Sequence, residues 1–235
     1  MNPKQIKFLA KRLEMSSNLR KLEIFYDNNL TSLPVDSLSM AMASLTQLSV
    51  VFQKLNSDKY NAIFSRLILG SNLKVVNLQG TNLSNVNPEI FGPAITRLDT
   101  AILSDCKITS TLFNDLFNNM QADCGLKDLD ISHNSTLKHI DDYFFGDAIN
   151  QLEKVNLKFT SITVFILMNL FELMQVQTRL KEMNLVGNLS LAKIPQHLFV
   201  RTVTELTKII NSLWVQHCDI GDRRKTSVIN CVQSC

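Results

Sequence analysis

The sequence predicts an α/β solenoid, a stack of similar units that each give one strand to a parallel sheet and a helix or turn to the opposite face. Three observations carry that expectation. A Leu-x-x-Leu-x-Leu pattern recurs along most of the chain, its spacing is nearly constant, and the stretches between carry apolar stripes at helical spacing. With 235 residues, 45 % hydrophobic content and only 7 glycines and 5 prolines, the chain is long enough to bury a continuous core and is neither loop-rich nor disordered in composition.

The pattern reads Leu19-x-x-Leu22-x-Ile24, Leu45-x-x-Leu48-x-Val50, Leu73-x-x-Val76-x-Leu78, Leu98-x-x-Ala101-x-Leu103, Leu126-x-x-Leu129-x-Ile131, Leu152-x-x-Val155-x-Leu157 and Leu180-x-x-Met183-x-Leu185. Steps between first leucines are 26, 28, 25, 28, 26 and 28 residues. Within each match the apolar residues alternate inward, and the intervening residues point to the concave, solvent side. One unit cannot cover its own apolar face, so the units must stack.

These residues resemble the leucine-rich-repeat family, and the alternation of two unit lengths is most similar to its ribonuclease-inhibitor-like branch. The resemblance covers roughly Asn2 to Ile220. It implies a leucine-rich-repeat horseshoe of seven to eight units, with a parallel β-sheet on the concave face and helices and 3₁₀ turns on the convex face.

Taken in order, the residues from Asn2 to Asn18 match the helix half of a longer unit, with Ile6, Leu9 and Leu13 on one face. The chain is therefore expected to begin in the middle of a repeat, as an excerpt from, or a shortened version of, a longer array. The longer units carry clear helix stripes: Leu112, Phe113, Leu116, Phe117 and Met120, then Ile166, Leu167, Leu170, Phe171 and Met174. The shorter units carry Leu33-Pro34, Asn87-Pro88 and Ile194-Pro195 instead, which predicts shorter helices or 3₁₀ turns. Eight residues after each first leucine stands Asp27, Gln53, Thr81, Cys106, Asn134, Thr160 or Asn188. In the family that position bridges neighbouring backbones, and a small polar side chain there satisfies main-chain groups where the strand ends. Gln53 departs from the usual asparagine, cysteine or threonine.

At the far end the match is Ile210-x-x-Leu213-x-Val215, which needs a four-residue insertion. Residues 221–235 show no helix stripe and are expected to be an atypical or disordered tail beyond a repeat domain over 1–220.

Charge excludes little but guides the partner class. The balance of 24 basic against 21 acidic residues, with no long basic run, points away from nucleic acid and anionic membranes. The most apolar window, Ile162 to Val176, is too short to span a bilayer and contains Asn169 and Glu172. Five cysteines, three of them inside repeat patterns, read as reduced thiols of a cytoplasmic protein.

The concave face is the expected binding surface. In the first two units its outward residues are Phe25, Tyr26, Val51 and Phe52, an aromatic group that either anchors a partner or packs on itself or under a further N-terminal repeat. Polar positions follow: Asn77, Asp105, Asp130, His133, Asn156 and Lys158, read as a hydrogen-bonding rim or an ordinary solvated face. On the convex side Phe165 and Met168 project away from the core stripe, either as a contact face or half-buried by neighbouring helices.

Catalysis has little support. Asp105 and His133 occupy matching positions beside Ser104 and Ser132, but a serine next to a histidine on one strand is badly placed for proton transfer. His217, Cys218, Cys231 and Cys235 have zinc-ligand chemistry without a standard spacing. The Asn-x-Ser/Thr triplets at Asn29, Asn82, Asn134 and Asn188 follow from the repeat turn itself. The sequence reading is thus a noncatalytic, cofactor-free and metal-free module that recognises a protein partner, with self-association through uncapped ends as a further possibility. The alternative is a ligand- or substrate-sensing fragment of a larger receptor or ubiquitin-ligase adaptor.

Overall fold

The computed structural model describes residues 3–14, 20–25, 34–43, 45–51, 56–120, 124–176, 178–206, 212–218 and 226–232. Strands and helices alternate along the chain: α1 (Pro3–Glu14), β1 (Lys21–Phe25), α2 (Val35–Ala43), β2 (Gln47–Val51), α3 (Ser57–Leu69), β3 (Val75–Asn77), α4 (Pro88–Ile95) and β4 (Thr100–Ile102). There follow α5 (Ser110–Asn119), β5 (Asp128–Asp130), α6 (Asp142–Asn150), β6 (Lys154–Asn156), α7 (Val164–Val176), β7 (Glu182–Asn184), α8 (Gln196–Leu206), β8 (Ser212–Cys218) and β9 (Thr226–Val232).

Among the described residues, nine strands form one sheet in sequence order. β1 to β8 run parallel, as expected when each strand is followed by a crossover helix that returns the chain to the same edge. The register follows the apolar pattern, with Leu22, Leu48, Val76, Ala101, Leu129, Val155, Met183 and Leu213 in one continuous row. Leu213 falls opposite Met183, so the displaced eighth match is a true strand of the stack. β9 then turns back antiparallel on β8, unlike every unit before it.

Helix length tracks unit length. The longer units hold α3, α5 and α7 of 13, 10 and 13 residues, and the shorter ones α2, α4 and α6 of 9, 8 and 9. Among the described residues, two of the units, those entered from β5 and β7, insert 3₁₀ turns at Ser135–His139 and Leu189–Lys193 ahead of their helices. Starts are capped by the residues the sequence supplies: Asn56 accepts from Lys59 N, Asn87 from Glu89 N with Pro88 at the first helical position, and Thr109 from Leu112 N.

The steps of 28 and 26 residues combine into a pair repeat of 54 that governs packing. Phe91, Phe145 and Phe199 are spaced by it, as are Phe117 and Phe171, and all five are buried between sheet and helices. Phe117 meets Phe145 edge-on at 5.1 Å and Phe64 meets Phe91 edge-on at 5.6 Å, the geometry aromatic quadrupoles favour. Among the described residues no helix is long and apolar enough to cross a membrane.

Candidate functional site: the concave sheet and its rim

Two rows of side chains run across the concave face, because residues flanking the buried row must point away from the core. One row is Val75, Thr100, Asp128, Lys154 and Glu182; the other is Asn77, Ile102, Asp130, Asn156 and Asn184. Over β4 to β7 they line an open depression of about 290 Å³. Lys154 Nζ lies 2.9 Å from Glu182, and Lys181 Nζ lies 2.5 Å from Glu153 at the mouth of the same strands. Burial pushes the Asp128 carboxyl above the usual carboxylate range, with Lys154 pulling against it. This is a polar surface with charges of both signs, already partly desolvated.

The second row has a structural duty as well. Asn77 Oδ1 accepts from Gln79 N (3.0 Å), Asp130 Oδ1 from Ser132 N (2.9 Å), Asn156 Oδ1 from Lys158 N (3.2 Å) and Asn184 Oδ1 from Val186 N (3.1 Å). Each closes the turn at the end of its strand. Asn156 Nδ2 then donates to Asp130 Oδ2 at 3.0 Å, and the Ser132 hydroxyl donates to Asp130 Oδ1 at 2.6 Å. Ser104 Oγ stands 2.9 Å from Ser132 Oγ.

Asp105 and His133 do match in neighbouring units, but at a position the strand pattern does not reveal. Gly80, Asp105, His133, Phe159 and Gly187 all take positive φ, between 53° and 78°, where the chain leaves the sheet. Asp105 and His133 therefore stand on the rim, exposed, with Lys158 beside them. The His133 ring packs on Phe159 at 5.0 Å, and the Ser132 proton goes to Asp130. Phe25 and Val51 are cross-strand neighbours in β1 and β2; Tyr26 and Phe52 lie outside the described residues. On α7 Phe165 is 65 % exposed, whereas Met168 is half-buried against the core.

The bridging position behaves as its chemistry requires. Thr81, Cys106, Asn134, Thr160 and Asn188 are buried, while Asp27 and Gln53 lie outside the described residues. The burial of Asn134 and Asn188 answers the triplet question for those two sites. In the β8–β9 register Cys231 faces Leu213 and Cys218 faces Thr226, so the two cysteines sit at opposite ends of the hairpin. Cys235 lies outside the described residues. Strand positions five residues apart are separated by about 17 Å, too far to share a metal ion.

Sequence reasoning missed Thr100, Ile102, Lys154 and Glu182, although the same alternation that locates Asp130 and Asn156 places them. It also missed Phe159. The available signal was an aromatic at a position where other units carry glycine or aspartate.

No family model matches this chain, and no curated protein matches it. Among solved structures, it is similar to the leucine-rich repeat-containing protein LegL7 from Legionella pneumophila, with a TM-score of 0.57 at 17 % identity over 91 % of this chain and 69 % of that one. The tropomodulin C-terminal domain of Caenorhabditis elegans aligns over 72 % of this chain and 91 % of its own, at 13 % identity and a TM-score of 0.41. The first of these likenesses, together with the parallel sheet, makes the fold a leucine-rich-repeat solenoid.

Proposed function

We propose that the chain is a noncatalytic module that recognises a protein partner through its concave sheet. The observation that carries this reading is the depression over β4 to β7, where Thr100, Ile102, Asp128, Lys154, Asn156 and Glu182 form a broad, open surface of mixed charge. A broad shallow surface suits a protein better than a small substrate, which needs an enclosed site with converging groups. Asn77, Asp130 and Asn156 set the register of the contact on this reading, with Asp105, His133 and Lys158 at its rim. Phe25, Tyr26, Val51 and Phe52 supply an N-terminal anchor, and Phe165 and Met168 a convex contact. The alternating unit lengths, together with the two helix lengths, support the ribonuclease-inhibitor-like branch.

The test is cross-linking of the tagged chain in cells, with mass spectrometry of captured proteins. Thr100→Lys/Asp128→Lys reverses the character of the depression, and Glu172→Lys on the exposed face of α7 serves as control. A partner lost with the double variant and kept with the control supports the concave reading. Partners unchanged by the double variant refute it.

A further inference from the structure

A second cavity, of about 730 Å³, lies away from the concave sheet, where the chain passes from β6 into α7. The alternation of unit types creates it. The units entered from β5 and β7 pass through 3₁₀ turns, whereas the unit between them runs directly into its helix. The result is a trough with Phe159, Val164 and Leu189 along it and Lys138 and Lys193 at its edges.

The pair repeat supplies an internal control. Residues 54 positions earlier repeat the geometry: Ile108 N donates to Asn134 Oδ1 as Ile162 N does to Asn188 Oδ1, both at 3.3 Å. The Thr136 hydroxyl donates to the Ile108 carbonyl as Ser190 does to that of Ile162. Asp105 and Phe159 share a φ of 53°. These bonds and this turn repeat between the two pairs, yet the exposed side chains differ, and only the second pair has a 3₁₀ turn on both sides. Where the second pair has Phe159, Val164, Phe165 and Leu189, the first has Asp105, Ser110, Thr111 and Ser135. The fold therefore makes no demand for apolar residues here, and still Leu189 is 74 % and Phe159 45 % exposed.

Phe159 is also held in place. A phenylalanine in the left-handed region is an outlier, since that conformation crowds its Cβ. Its ring lies across Gly187, where a Cβ would stand 2.2 Å away, so the glycine clears the floor under it. His133 packs on the ring at 5.0 Å and Lys158 Nζ stands 5.3 Å from its centre. Among the described residues the lining contains two lysines and no carboxylate, in contrast with the concave depression.

We infer that this trough is a second binding site, which takes an acidic segment of a partner polypeptide carrying an apolar side chain. The apolar group seats against Phe159, Val164 and Leu189, and flanking carboxylates face Lys138 and Lys193. Opposite charge at the rim steers the segment and fixes its register, while the desolvated aromatic contact holds it.

The experiment is fluorescence anisotropy of the full chain with a fluorescein-labelled peptide of sequence Glu-Asp-Leu-Phe-Asp-Glu. Phe159→Asp/Leu189→Ser installs residues the first pair already carries at the equivalent positions, so the fold should be retained, and Lys138→Glu/Lys193→Glu alters only exposed charge. Saturable binding by the wild type, weakened about tenfold or more by each double variant with an unchanged Tm, is the expected result. The Thr100→Lys/Asp128→Lys variant keeps peptide binding, which separates this site from the concave face. Absence of wild-type binding, or binding that neither trough variant weakens, overturns the proposal. So does the finding that the trough lysines and Phe159 drive sedimentation with phosphatidylserine vesicles while the peptide is ignored.

Discussion

Asn134 commits its whole amide to the main chain of two units. Its Oδ1 accepts from Cys106 N at 3.1 Å and Ile108 N at 3.3 Å, and its Nδ2 donates to Leu103 O at 2.8 Å and Ile131 O at 3.0 Å. Asn134→Ala orphans all four in a buried site. A single unmet buried group costs about 1–3 kcal/mol, and relaxation absorbs part of the sum, so the expected loss is about 3 kcal/mol. Asn82 is the comparison: its Oδ1 accepts one bond, from Ser84 N at 3.1 Å on the exposed surface, and Asn82→Ala should cost less than about 0.5 kcal/mol. Urea unfolding of both variants checks the contrast, and equal midpoints would refute the bridging role. Cys106 holds the same position one unit earlier, its thiol donating to Leu78 O at 3.0 Å. Burial pushes that thiol from 9.0 to about 12. The folded chain then keeps a proton that the unfolded chain releases, so stability is full below pH 9.0 and falls as pH rises towards about 12. The slope from this group approaches about 1.4 kcal/mol per pH unit. Cys106→Thr, which copies Thr81 and Thr160, should flatten the decline between pH 9 and 10, below the range where the buried Tyr60 hydroxyl begins to contribute. An unaltered slope in denaturant titrations would show that another group is responsible.

At the scale of elements, the pair repeat decides where helices can approach. Gly92 in α4 and Gly146 in α6 are 54 residues apart, and each faces the next longer-unit helix. A Cβ on Gly92 would lie 2.8 Å from the Asp115 carbonyl oxygen and 2.3 Å from its carboxylate, which accepts from Gly92 N at 3.0 Å. A Cβ on Gly146 would meet only the end of the Leu173 side chain, at 2.3 Å. Backbone cannot yield as a flexible side chain can. Gly92→Ala should therefore cost about 2 kcal/mol and Gly146→Ala clearly less, read as Tm differences by calorimetry. If the two lose equally, helix spacing is not set by the Asp115 backbone. The strands were legible in advance because every inward residue of Leu126-x-x-Leu129-x-Ile131, and of the other four matches between Leu73 and Leu185, is buried. The left-handed turn after each of β3 to β7 was not, since Gly80 and Gly187 announce it but Asp105, His133 and Phe159 hide it. The concave rows were half legible: Asp130 and Asn156 drew notice as polar residues, while their work in closing strand ends depends on hydrogen bonds that spacing cannot display.

For the molecule as a whole, what escaped the sequence is whatever depends on neighbouring units together. The trough at Phe159 exists because two 3₁₀ turns flank a unit without one, and no single repeat contains that information. The same holds for β9. Nothing in Thr226–Val232 continues the leucine pattern, and its place follows only from the edge that β8 offers. That edge matters, because a parallel sheet ends in a row of unpaired main-chain donors and acceptors, a template for another chain. The antiparallel strand occupies it from Ser212 opposite Val232 to Cys218 opposite Thr226, along the full length of β8. Removing residues 219–235 leaves the eight parallel strands and their core unchanged but uncovers those groups. The shortened chain should keep its helical circular dichroism and gain mass with rising concentration in light scattering, whereas the full chain should show less association through this edge. Substituting Ile229 by proline in the full chain tests the same edge without shortening it, since proline removes a ladder donor next to Val215. Should the shortened chain remain monomeric at every concentration, β9 is not what protects β8.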